Sequence, residues 1–265
     1  MKRINLIGAA SLAVILPAIA LASPNPNSAV VHLRVFNDCP GTSLGSTNNY
    51  PSMVSISETL QGCGGGFANL HAWRLSEDGI NSVPFNNGDS FRLGFDFELS
   101  GSSKGEGGLS VAPWWAQDVD GRFNVRSTDG EIACFSGRLP FYSFTASHGL
   151  TYAGGVIHLE VTYLANDLSM ANPATIEYKV TYNSVTYTSG PKPFDEGNPS
   201  EDPPYGLWGM LNDARVGGYV QHFVTQSPDG SDLNATWSNI DYESLSNPVA
   251  VEPTTWGKVK GLYRR

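Results

Sequence analysis

The segment Phe91-Arg92-Leu93-Gly94-Phe95-Asp96-Phe97-Glu98-Leu99 alternates without a break between large apolar side chains and Arg, Gly, Asp or Glu. Successive side chains on a β-strand point to opposite faces, so this segment has one apolar face and one polar face. On a helix the same apolar groups would be spread around the circumference. The pattern recurs in VIHLEVTY (156–163) and in TIEYKVTY (175–182). Ile157, Leu159, Val161 and Tyr163 share one side of the first. Ile176, Tyr178, Val180 and Tyr182 share one side of the second. One-sided strands need a second layer to cover them, which points to two packed sheets.

Other segments extend the β reading. VVHLRVF (30–36), MVSIS (53–57) and LHAWRL (70–75) are short strand candidates. WWAQDV, RFNVRST and EIACF form an expected meander, joined by Asp120-Gly121 and Asp129-Gly130. Asp-Gly suits type I′ hairpins, in which both central residues have φ > 0. Asn183-Ser184 is expected to turn TIEYKVTY into VTYTS. The stretch 205–242 reads as three strands: one with Trp208, Met210 and Leu211, one with Gly217-Gly218, Tyr219 and Val220, and one with Trp237 and Ile240. The middle of these, apolar on both faces, belongs at the centre of a sheet. No repeat and no long helix is legible. The 29 glycines and 15% charged residues suit a turn-rich β-sandwich.

The chain ends differ in character. Lys2-Arg3, an apolar run over 4–21 and Ala20-Leu21-Ala22 have the form of a signal peptide over 1–22. Residues 23–29 read as a disordered Pro/Asn spacer, 30–245 as the sandwich, and 246–265 as a tail with a short basic amphipathic segment. Export permits one disulfide, and Cys39–Cys63 is the nearest pairing; Cys134 reads as a buried small hydrophobe. Losing Lys2 and Arg3 takes the formal charge from −9 to −11, which argues against nucleic acid and anionic membranes as partners. No later segment is apolar enough to span a membrane.

Candidate chemistry is sparse. Asp96 and Glu98 lie on one strand face roughly 7 Å apart, within the spacing used by paired glycosidase carboxylates. His158 is on the polar side of its strand. Trp114 and Trp115, as strand neighbours, point to opposite faces, so one can offer a stacking platform to a sugar ring. Asp118 to Asn124 begins like a calcium loop, but Arg122, Phe123 and Asp129 occupy positions where ligands or Gly belong, so a hairpin is expected there. A structural calcium in loops such as 86–89 or Asn212-Asp213 is the remaining metal expectation; no zinc-spaced His/Cys cluster is present. The five histidines form no triad motif, and no G-x-S-x-G elbow occurs.

From Phe91 onward the order of features resembles the concanavalin A-like lectin/glucanase sandwich, including laminin-G-like modules. FRLGFDFEL, the meander, IHLEVTY, TIEYKVTYNSVTY, GLWGMLNDARVGGYVQHF and ATWSNIDYE carry the resemblance. It implies an all-β, two-sheet antiparallel sandwich of jelly-roll type. The glucanase signature E-x-D-x-x-E is absent, so no catalytic residue is assigned. The expected function is an exported, non-catalytic carbohydrate-binding or adhesion module, with Trp114, Trp115, Asp96, Glu98 and His158 as ligand contacts. A glycoside hydrolase or polysaccharide lyase using Asp96 and Glu98 is the alternative, and a structural envelope or surface protein without a ligand site is the second.

Overall fold

The computed structural model describes residues 23–113, 121–198 and 205–245. In chain order the strands are β1 (Ser28–Phe36), β2 (Ser43–Asn49), β3 (Met53–Thr59), β4 (Leu70–Ser76), β5 (Phe91–Gly101), β6 (Gly105–Pro113), β7 (Gly121–Arg126), β8 (Ile132–Phe135) and β9 (Tyr142–Ser143). A short helix, α1 (Phe144–His148), separates these from β10 (Ile157–Leu164), β11 (Thr175–Tyr182), β12 (Val185–Thr188), β13 (Lys192–Pro193), β14 (Ala214–His222) and β15 (Asp232–Ser244). One sheet has the order β1-β4-β14-β6-β7-β8-β9; the other has β12-β11-β10-β5-β15-β3-β2, with β13 beside β11. Every pairing is antiparallel. The fold is the two-sheet antiparallel sandwich that the alternation implies, of the jelly-roll type that the resemblance implies.

The alternating segments supply the core. Phe91, Leu93, Phe95 and Phe97 on β5 are fully buried, as are Ile157, Leu159, Val161 and Tyr163 on β10 and Tyr178 and Val180 on β11. They join one cluster with Trp73, Leu75, Leu109, Val111, Phe123, Val125, Val216 and Val220 of the opposite sheet. Each large apolar side chain removed from water contributes roughly 1.5–3 kcal/mol, so these rows hold the sheets together. β14 is central, between β4 and β6. Its Gly217-Gly218 pair lets the tryptophans close in. A Cβ on Gly217 would lie 2.1 Å from the Trp73 carbonyl oxygen, and one on Gly218 2.3 Å from Trp73 Nε1 and 2.5 Å from Trp237 Nε1.

Cys39 and Cys63 form the expected disulfide, and Cys134 is a buried free thiol. Its burial pushes the thiol pKa well up. Asn183 and Ser184 both adopt positive φ (52° and 64°), as a tight hairpin between β11 and β12 requires.

Several expectations are corrected. Residues 205–213, read as a strand, form a loop, because Gly206, Trp208 and Asp213 sit at φ 85°, 53° and 58°. Met210 and Leu211 are buried by this loop rather than by a ladder. On β7 the described partners are β6 and β8; WWAQDV, with Trp114 and Trp115, and Asp120 of the Asp120-Gly121 turn lie outside the described residues. The β7–β8 connection is wider than a type I′ turn: only Gly130 has positive φ, and Arg126 N–H bonds to the Glu131 carbonyl. The Pro/Asn spacer, read as structureless, is bonded along β4 and its following loop: Asn27 N–H donates to the Ser76 carbonyl and Asn25 N–H to Glu77. The signal-peptide segment and the tail 246–265 lie outside the described residues. Among those described, no helix is long and apolar enough to cross a membrane.

Candidate functional site

The outward face of the seven-stranded sheet carries buried polar side chains that the core does not require. On β6, Leu109 and Val111 belong to the core; on β7, Phe123 and Val125 do. Alternation therefore sends Arg122 and Asn124 the other way. Register then brings separate segments together: Gln221 on β14 is opposite Glu106, which is opposite Arg126, and Gly108 joins Tyr219 to Asn124.

Glu106 is the hub. One Arg122 nitrogen, Nη1, donates to Glu106 Oε1 at 2.5 Å and to Gln221 Oε1 at 2.6 Å. Asn124 Nδ2 donates to Glu106 Oε2 at 3.2 Å, and Asn124 Oδ1 accepts the Ala133 N–H at 3.2 Å. The Tyr219 hydroxyl donates to Glu106 Oε1 at 3.3 Å, and the Arg122 guanidinium carbon is 4.9 Å from the Tyr219 ring centroid. Glu106 is only 5% exposed, and Asn124 and Tyr219 are fully buried. Beside this network, Leu70, Ala72 and Tyr219 form a small apolar cluster with Val35. The arrangement is a fixed set of planar groups: a carboxylate, a guanidinium and two amides.

Asp96, Glu98 and His158, expected from sequence, lie on the other sheet. Asp96 and His158 are opposite each other on β5 and β10, with His158 Nδ1 2.8 Å from Asp96 Oδ1. Asp96 Oδ2 accepts from Asn239 Nδ2 at 2.8 Å. Glu98 lies two positions along β5, opposite Thr236 of β15. Arg92 is drawn elsewhere, to Glu160, Asp241 and Glu243. Its hydrogen bond to Asp241 above all raises its pKa. Asp96 and His158 are about a third exposed, so this face is open to solvent. Trp114 and Trp115 lie outside the described residues.

The loops named for calcium use their oxygens internally: Asn212 Oδ1 accepts the Asn87 N–H and Asp89 Oδ2 the Asn86 N–H. Glu106, Arg122, Asn124, Tyr219 and Gln221 were not singled out by sequence reasoning. The available signal was the polar side of RFNVR, where Arg122, Asn124 and Arg126 oppose Phe123 and Val125.

The chain is similar to the alginate lyase from Corynebacterium sp., at 10% identity and TM-score 0.46, covering 82% of this chain and 94% of that one. It is also similar to Lotus tetragonolobus seed lectin, at 12% identity and TM-score 0.40 over 82% of this chain and 98% of that one. A third is arcelin-5, a lectin-like defense protein from Phaseolus vulgaris, at 12% identity and TM-score 0.40 over 82% and 97%. No family model and no curated protein matches the sequence.

Proposed function

We propose that this protein is an exported carbohydrate-binding module that takes a neutral glycan on the outward face of the seven-stranded sheet. The observation that carries the reading is the mutual fixing of buried Glu106 and Asn124 with partly exposed Arg122 and Gln221 in one network. Burying ions costs several kcal/mol each before their attraction is counted, and the core gains nothing from them there. Sugar hydroxyls both donate and accept, and neighbouring hydroxyls match planar carboxylates, guanidinium groups and amides. Groups already held by one another lose little freedom when a ligand arrives. The formal charge of −9 favours a neutral glycan over a polyanion. Trp114 and Trp115 follow β6 directly in the chain and supply the stacking surface in this reading.

A second reading places an acid–base centre at Asp96, favoured by its 2.8 Å contact with His158, with Glu98 beside it on the strand. One experiment separates the two. Glycan-array binding is measured for the wild type and for Gln221→Ala, Trp114→Ala, Trp115→Ala and His158→Ala. Loss with Gln221→Ala and with one tryptophan variant, but not with His158→Ala, is the expected result. Loss with His158→Ala alone moves the site to the other sheet, and no binding to any glycan removes the reading. Polysaccharide depolymerisation that disappears in Asp96→Asn would establish the second reading.

A further inference from the structure

Asp38 just beyond β1, Glu58 on β3 and His71 on β4 converge at one buried point. Asp38 Oδ1, Glu58 Oε2 and His71 Nε2 lie within 4.8 Å of one another. His71 Nε2 is 3.4 Å from each oxygen. The three side chains are 7%, 2% and 0% exposed, and none of the three atoms makes a well-formed hydrogen bond, although His222 Nδ1 lies 3.1 Å from Glu58 Oε2. The outer oxygens, in contrast, are anchored: Asp38 Oδ2 accepts from the Arg34 guanidinium and Glu58 Oε1 from Asn69 Nδ2.

A separation of 3.4 Å is longer than the usual 2.7–3.2 Å of an N–H···O bond, so each contact is weak. Leaving such groups buried without partners costs about 1–3 kcal/mol each, and more for charged ones. The two nitrogen–oxygen separations instead match a coordination sphere: a tetrahedral ion bound at about 2.0–2.2 Å holds adjacent donors about 3.3–3.6 Å apart. We propose that Asp38, Glu58 and His71 bind a divalent transition-metal ion of the zinc class. One imidazole and two carboxylates suit such an ion, whereas calcium takes six to eight oxygens. The anchored second oxygens are the outer-shell support that metal carboxylates use.

The proton has to be accounted for. His71 Nδ1 accepts the Arg34 backbone N–H at 2.9 Å, so the neutral ring carries its proton on Nε2. A metal takes the lone pair of the neutral ring, so on binding the ring proton moves from Nε2 to Nδ1 and the Arg34 N–H contact is given up. The two carboxylates then stand against the divalent ion, and the neutral ring adds no charge. The framework is braced before any ion arrives. The Cys39–Cys63 bridge ties the residue after Asp38 to the loop that follows β3, and Cys39 N–H donates to Asn69 Oδ1 at 2.7 Å. His222 Nδ1, 3.1 Å from Glu58 Oε2, is a positioning group for that carboxylate.

Zinc sulfate titration of the oxidised full-length protein, followed by dialysis and elemental analysis, tests this. About one equivalent is expected to stay bound, with EDTA lowering Tm. In Asp38→Asn, zinc affinity is expected to fall at least about tenfold and EDTA to leave Tm unchanged. Because a ligand variant can fail to fold, cobalt(II) absorption of the wild type provides an independent reading: intense visible bands of a four-coordinate site are expected. Absence of saturable zinc uptake, with no cobalt bands and a Tm indifferent to EDTA, overturns the proposal.

Discussion

Trp237 donates its indole N–H to the carbonyl oxygen of Gly108 at 3.0 Å, a bond that crosses from the β15 sheet to the β6 sheet. Trp237 is fully buried and meets Trp73 edge-on at 6.2 Å between centroids. One side chain therefore fills the core and satisfies a backbone group of the facing layer.

Replacing it tests the crossing bond. Trp237→Phe keeps an aromatic ring but removes the indole donor from the Gly108 carbonyl and opens a small cavity. A loss of roughly 2–4 kcal/mol is expected. Urea denaturation reads this as a lower midpoint with unchanged slope. A loss below about 0.5 kcal/mol would show that the bond contributes nothing.

Gly218 is expected to tolerate no side chain. Its Cβ would stand 2.3 Å and 2.5 Å from the two indole nitrogens, so Gly218→Ala forces buried rings apart at a cost of about 1–3 kcal/mol or more. Gly88→Ala, with nothing within 4 Å of the new methyl, is the control and is expected to leave Tm unchanged. Equal Tm values for the two variants would refute the close-packing account.

The Glu106–Arg122 pair predicts strong non-additivity. Arg122→Met strands a buried carboxylate and is expected to cost about 3–5 kcal/mol. Adding Glu106→Gln removes that charge, and the double variant is expected to recover a large part of the loss. A double-mutant cycle in chemical denaturation measures the coupling, and additive effects would contradict the network.

Asp78 makes an acid-sensitive turn. Its carboxylate accepts the backbone N–H groups of Asn81 and Ile80 at 2.7 Å and 2.8 Å and the Asn81 side-chain amide at 2.8 Å. These bonds, led by those from Asn81, hold its pKa well below the usual 3.8. A depressed folded value means that the contribution is complete above the ordinary value. It fades as pH drops below about 4 and disappears below the depressed one. The Asn81 amide resonance is expected to hold its position down to about pH 4 and to move only in stronger acid. In Asp78→Asn this acid step should vanish.

The core strands were legible because each carries its evidence locally. FRLGFDFEL, IHLEVTY and TIEYKVTY show both faces in consecutive residues, and the resulting rows are buried as read. β2, SLGSTNN, was missed because it has few apolar groups; it is an edge strand held by its ladder to β3. The 205–213 loop was misread because Leu, Trp and Met imitate a strand, while the turns at Trp208 and Asp213 leave little trace in composition. The polar network was hidden for another reason. Arg122 and Gln221 are 99 residues apart, and only the insertion of β14 beside β6 makes them neighbours. His71 and His222 likewise look scattered until β3 and β4 bring Glu58 between them.

The strand order has a consequence for how the chain is made. β14 enters between β4 and β6, and β15 between β3 and β5, so the last two long strands among the described residues fill the middle of both sheets. Until residues beyond 213 emerge, each layer consists of two halves with a gap between them. The hydrophobic rows on β4, β5 and β6 are then exposed along ladders awaiting a partner. Closure of the two layers therefore waits for β14 and β15, and a nascent chain stalled before β14 is an aggregation hazard rather than a smaller domain.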